Sequence, residues 1–134
     1  MTLLNRVLAA SFALLISATL PALTVPAVAH HTYVTKYDPQ KLVSLKGTIA
    51  NVNYRNPHIF FEVSVANRDG STTTWHVETE SIAKAQAKGL TESRLRIGAP
   101  VVATGWMSRS GTSELGLKSI QIGSKTFNIR RTPR

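Results

Sequence analysis

The chain has no cysteine. Disulfides are therefore excluded, as are soft thiolate ligands for a metal, and whatever holds the fold together must come from packing. Acids are scarce as well, with 7 Asp and Glu against 16 Lys and Arg in 134 residues. No Gly-x-Ser-x-Gly elbow occurs, which removes the usual sign of a serine hydrolase. No glycine-rich loop is present to cradle phosphates. There is no internal repeat and no second domain's worth of chain. The sequence therefore offers no catalytic residue to name, and the expectation is a non-enzymatic protein.

The basic excess is dispersed. Lys36, Lys41, Lys46, Arg55, Arg68, Lys84, Lys88, Arg94, Arg96, Arg109 and Lys118 are scattered singly, and only Arg130, Arg131 and Arg134 cluster, in a C-terminal tail. A spread of this kind favours solubility and a general attraction to anionic surfaces.

The first residues read differently from the rest. Met1–Arg6 carries one positive side chain, Val7–Leu20 is an uncharged, largely apolar run with only Ser11, Ser17 and Thr19 as polar members, and Pro21 breaks it before Ala27-Val28-Ala29. That is the layout of a secretory signal with a small-x-small cleavage site. A spanning helix needs roughly 20 apolar residues, and this run is shorter and followed by Pro21 and Pro26. The expectation is a cleavable signal over 1–29 and one domain over 30–134, placed in the bacterial periplasm or secreted. The processed chain would begin at His30, and such a terminus reads as loose.

Strand patterns fill most of the remainder. In Leu42–Tyr54, Val43, Leu45, Gly47 and Ile49 share one face before Val52 and Tyr54 take it over. The change of parity predicts a bulge, and Gly47 a bend or close approach. Next, His58–Asn67 alternates cleanly, with Ile59, Phe61, Val63 and Val65 on one face. Arg68-Asp69-Gly70 fits a three-residue hairpin loop with glycine in the left-handed position. Pairing Asn67 with Ser71 sets Val63 opposite Trp75 and Phe61 opposite Val77, so loop type and hydrophobic pattern agree on one register. The same register sets His76 opposite Glu62, Glu78 opposite Phe60 and Glu80 opposite His58, all on the outer face.

A helix is predicted over Ser81–Leu90, with Ser81 as N-cap and Gly89 as terminator. Val101–Met107 and Leu115–Ile122 complete the strands, and Lys125–Ile129 can add a short pairing segment. Three strands, a helix and two more strands is the order of an all-β, five-stranded oligonucleotide/oligosaccharide-binding (OB-like) barrel, whose helix plugs the barrel between strands three and four. Trp75 and Trp106 fall where core residues are expected.

The ordered series Ala29-His30-His31, Asp38-Pro39-Gln40-Lys41, Leu45-Lys46-Gly47-Thr48, Asn56-Pro57-His58, Trp75-His76-Val77-Glu78 and Leu95-Arg96-Ile97-Gly98 resembles a group of small exported bacterial proteins of unknown function. The resemblance covers nearly all of the chain after residue 29. It implies export and an OB-like barrel, and it implies no activity. Three positions depart from the group: Ile82 stands where Pro is usual, no Gly-Trp pair occurs near Gly89, and Ala99 replaces an Asp.

Two kinds of site follow. Phe60, His76 and Glu78, with His58 beside them, form an outward face suited to an envelope protein partner or a small ligand. Alternatively, a processed His30 would offer an α-amine and an imidazole to one ion, with His31 or His58 completing a nitrogen-rich set that suits Cu(II). His76 cannot join that set, because the register separates it from His58 by roughly 13 Å. It is expected to pair weakly with Glu62 instead. Glu78 and Glu80 read as a solvated face. Nucleic acid is not expected, since Glu62, Glu78 and Glu80 would repel phosphates on the face where such barrels stack bases.

Overall fold

The computed structural model describes residues 29–130, of which 29–32 are described in backbone only. The expected signal, its cleavage site, the side chains of His30 and His31, and the tail beyond Arg130 lie outside the described residues. The elements run α1 (Ala29–Lys36), β1 (Tyr37–Asn53), β2 (Phe60–Ala66), β3 (Thr72–Glu78), α2 (Ile82–Ala87), a 3-10 turn (Glu92–Arg94), β4 (Pro100–Ser108), β5 (Glu114–Ile122) and β6 (Lys125–Asn128).

The sheet order is β3-β2-β1-β4-β5-β6, and a further parallel pairing of β3 with β5 closes the ring. The long β1 serves both neighbours, pairing with β4 through its first half and with β2 through its second. It can do so because it bends. A Cβ on Gly47 would strike the Ser64 carbonyl of β2, so only glycine allows the backbones to meet there. The expected bulge lies between Ile49 and Asn51, which moves Val52 onto the inner face. The result is an all-β, OB-like barrel.

The β2–β3 hairpin has the register read from its loop. Val63 faces Trp75, Phe61 faces Val77, Glu62 faces His76 and Phe60 faces Glu78. Gly70 sits at φ 84°, and the Asn67 N–H donates to the Ser71 carbonyl at 2.8 Å. Inside, Val52, Phe61, Val77 and Leu115 form one row across four strands, part of a core that includes Ile49, Ile59, Val63, Leu117 and Ile120. Trp75 packs against this core while remaining partly exposed.

The helix between β3 and β4 is shorter than expected. It ends as the sequence indicates, with Gly89 at φ 83° and the Leu90 N–H donating back to the Ala85 carbonyl. Its start differs. Ser81 makes no side-chain cap; the Ile82 N–H donates instead to Asn56 Oδ1 at 3.1 Å. A side chain from the β1–β2 loop therefore does the capping, a long-range partner that local spacing does not reveal. Ala85, Leu90 and Leu95 are buried against the barrel end.

Two further expectations are corrected. The segment from Ala29 is helical rather than a loose start, and β1 begins at Tyr37, five residues earlier than its alternation suggests. Trp106 is 1 % exposed but stands apart from the interior core. It lies on the outer face of β4, where the ring of Tyr33 meets it edge-on at 6.2 Å.

Candidate functional site

One row of the barrel's outer face carries most of the unusual chemistry. Strand register aligns Leu42, Trp106, Gly116, Glu78, Phe60 and Asn53 across β1, β4, β5, β3, β2 and β1 again. Helix α1 and the first residue of β1 cover the middle of this row. Gly116 makes room for them: a Cβ there would collide with the Tyr33 hydroxyl and the Tyr37 ring. Tyr33 and Tyr37 contact each other with centroids 4.7 Å apart. The Arg130 guanidinium lies 3.7 Å from the Tyr33 ring centre and donates to the Thr79 carbonyl at 2.6 Å. Its Nε sits 2.8 Å from Glu80 Oε1, but the N–H points away from the carboxylate, so that contact is an ion pair rather than a hydrogen bond. Arg130, read in the sequence as part of a basic C-terminal tail, is a packed part of the domain.

Glu78 is the centre of the cluster. It is 8 % exposed, and the outward direction read from the register is right, but the face is not solvated. Tyr37 donates its hydroxyl to Oε2 at 2.8 Å. Lys36 reaches the same oxygen at 3.2 Å and Glu114 at 3.3 Å. His58 Nδ1 lies 2.8 Å from Oε1. This is a close contact without hydrogen-bond geometry, and it places the imidazole against the carboxylate. Burying a carboxylate is costly unless its lone pairs are filled, and here the Tyr37 hydroxyl and the Lys36 ammonium donate to it. Glu80, at 19 % side-chain exposure, is likewise occupied by Arg130 and Lys84.

Beyond Glu78 the row opens. Phe60 is 38 % exposed. Alongside it, His76 Nδ1 lies 3.4 Å from Glu62 on a well-exposed pair, a contact worth little by itself. The three residues expected to bind a ligand are therefore adjacent but unlike: Phe60 and His76 are accessible, whereas Glu78 is committed to its neighbours. Of the expected metal ligands, His58 is present with its carboxylate partner. No group of three His, Asp or Glu side chains able to hold an ion occurs among the described residues. The alternation pattern missed the parts supplied by Tyr33, Lys36, Tyr37 and Arg130. The signal that could have found them is Gly116, a glycine inside a strand that marks the close approach of another element.

Burial pushes the Tyr33 hydroxyl up to about 12, with Arg130 working against the shift. Burial likewise pushes Tyr37 up, helped by the charge of Glu78. Burial opposes the charge on Lys36, but Glu78 and Glu114 outweigh it and hold the pKa above the ordinary lysine value. All three groups bind protons more tightly folded than unfolded. Their contribution is whole below about pH 10 and is lost as pH rises through the folded values. We expect α1 to leave the barrel between about pH 10 and about 12, with tyrosinate absorbance and the red shift of Trp106 fluorescence rising together. Tyrosines that ionise at the ordinary value while Trp106 stays unmoved would contradict this. On the acid side, Glu114 is held below the usual carboxylate range by Thr112 and then by Lys36. That stabilisation is present above the unfolded value and fades as pH falls through the lower folded one.

The fold is shared by a solved structure. The mitochondrial single-stranded DNA binding protein Rim1 of S. cerevisiae is 18 % identical, aligns over 68 % of this chain and 98 % of its own, and has a TM-score of 0.50. A small single-stranded DNA-binding protein from Streptomyces coelicolor is 20 % identical over 60 % of this chain and 92 % of its own, with a TM-score of 0.41. No curated protein matches the chain. Residues 18–118 match a single family throughout, and the chain therefore belongs to DUF6152, a family of unknown function.

Proposed function

We propose that this protein is an exported, non-enzymatic binding module of the bacterial envelope that contacts its ligand through the open half of the outer face, around Phe60, His76 and the edge of His58. The observation that carries the reading is Phe60. A large aromatic stays 38 % exposed at the point where α1 stops covering the row, flanked by two imidazoles. Glu78 serves as the support, fixing His58 from behind. Export rests on the n-region, the apolar run and the Ala27-Val28-Ala29 pattern.

A second reading is copper binding. His58 Nδ1 lies 2.8 Å from Glu78 Oε1, and a carboxylate beside one ring nitrogen is a common companion of a histidine that binds metal through the other. A processed His30 and His31 would supply the remaining nitrogens, and the donor set suits Cu(II). Nucleic acid is the third possibility, since the Rim1 protein is named for single-stranded DNA. Glu62 on the open face argues against it, although Glu78 is neutralised by its partners and repels less than its sequence position suggests.

One experiment separates the three. Backbone amide spectra of the isotope-labelled chain are recorded with a muropeptide, an acidic oligosaccharide, an oligo-dT strand and Cu(II). We expect an envelope glycan or peptide to shift Phe60, His76 and His58 together, and Phe60→Ala to weaken that binding about thirtyfold, as for an aromatic anchor. Shifts with oligo-dT alone would establish nucleic acid. Broadening by Cu(II) centred on His58 would establish the metal. A Phe60 face silent toward every probe would remove the proposal.

A further inference from the structure

The turn between the 3-10 segment and β4 combines two features that a lone surface residue does not. Ile97 is 69 % exposed, and by itself an exposed isoleucine is ordinary. This one sits at the corner of a tight turn, closed by the Ala99 N–H donating to the Arg96 carbonyl at 3.0 Å, with Gly98 at φ 83°. The turn is pinned to the barrel. Gly98 N–H donates to the Ile49 carbonyl at 2.7 Å, and Ile49 N–H returns to Ala99 at 3.0 Å. The side chain therefore projects from a rigid base.

Arg96 immediately precedes it in the chain, and Arg94 lies two residues further back. Beside the turn is an open cleft of about 670 Å³ lined by Gly89, Thr91, Ser93, Arg94, Arg96 and Ala99, among others. Thr91 and Ser93 hydroxyls lie 3.0 Å apart on its wall. The Phe127 ring holds Arg94 at 5.1 Å and Lys125 at 5.5 Å, so two cations are gathered on one aromatic. Arg96 and Lys88 are exposed nearby in sequence, and Glu92 is the one acid within the 3-10 turn. Arginines with hydroxyl donors form the chemistry that recognises phosphate.

We propose that this corner docks the protein on a bilayer containing anionic phospholipid, with a headgroup phosphate in the Arg94–Arg96 cleft and Ile97 in the interfacial layer. Charge alone would fit any polyanion. The apolar tip projecting from the cationic rim selects a surface that is anionic outside and apolar beneath. This surface uses none of the residues of the Phe60 face, so either proposal can fail without the other.

The test is co-sedimentation of the purified full chain with phosphatidylcholine vesicles and with vesicles of phosphatidylcholine mixed with phosphatidylglycerol. The readout is the ratio of the two affinities, which cancels any contribution that residues 7–20 make equally to both. We expect the ratio to favour the anionic vesicles, and Arg96→Gln to lower it about fivefold, equivalent to about 1 kcal/mol for one basic residue at such a surface. Ile97→Asp should lower it about tenfold, because contact is lost and a like charge is added. Both positions are exposed, and circular dichroism of the variants checks that the fold is kept. Three results would overturn the proposal. One is equal binding to both vesicles. Another is a ratio indifferent to Ile97→Asp. The third is full competition by millimolar inorganic phosphate, which would make the cleft a site for the free anion.

Discussion

Trp106→Ala is expected to destabilise the domain by about 3–5 kcal/mol, the range for removing a buried tryptophan, and to lower Tm by roughly 15–30 °C for a domain of this size. The side chain is 1 % exposed, yet it supports an outer layer rather than the barrel's interior. Tyr33 rests edge-on against it, and the Lys118 ammonium lies 6.0 Å from its ring. The substitution should therefore loosen α1 first. Amides of residues 33–37 should lose exchange protection, while those of the Phe61–Val77 pair keep theirs until global unfolding. A uniform loss across both regions would place Trp106 in the main core and contradict the two-layer description.

Glu78→Ala is expected to cost about 2–4 kcal/mol, although Glu78 lies on the outside of the barrel. The lost carboxylate strands the Tyr37 hydroxyl, which donates to it at 2.8 Å in a buried setting. Lys36 suffers less, since Glu114 is still 3.3 Å away and the ammonium is partly solvated. His58 loses the carboxylate that lies 2.8 Å from its Nδ1. Adding Tyr37→Phe removes the stranded group, so the double variant should recover about 1–2 kcal/mol relative to the sum of the two single changes. Strict additivity in chemical denaturation would mean that the two side chains are not coupled. Glu78→Gln should fall between the parent and Glu78→Ala, because an amide oxygen can still accept from Tyr37.

The hairpin was legible because two local signals coincide there. Gly70 allows only certain loop lengths, and the Phe61/Val63 and Trp75/Val77 alternation permits one register for that loop. The bulge in β1 was legible from parity alone. By the same logic, Glu78 and Phe60 were placed opposite each other and facing outward. Whether an outward residue meets water is a different matter. Glu78 is buried because α1 lies across it, and nothing in the alternation of β3 shows that Tyr37 and Lys36 return to that point from 41 and 42 residues away. Arg130 was misread for the same reason, since its partners Thr79 and Glu80 are distant in sequence.

Periodicity and turn chemistry in the sequence alone determined which faces of the strands turn inward, where the chain reverses, and hence the barrel. These are short-range matters, in which each side chain's direction follows from its neighbours. Tertiary structure decided which part of the outer surface stays exposed. Trp106, Gly116 and Glu78 are covered and Phe60 is left open, because coverage depends on where a separate helix packs, and that is set by shape and charge over the whole molecule.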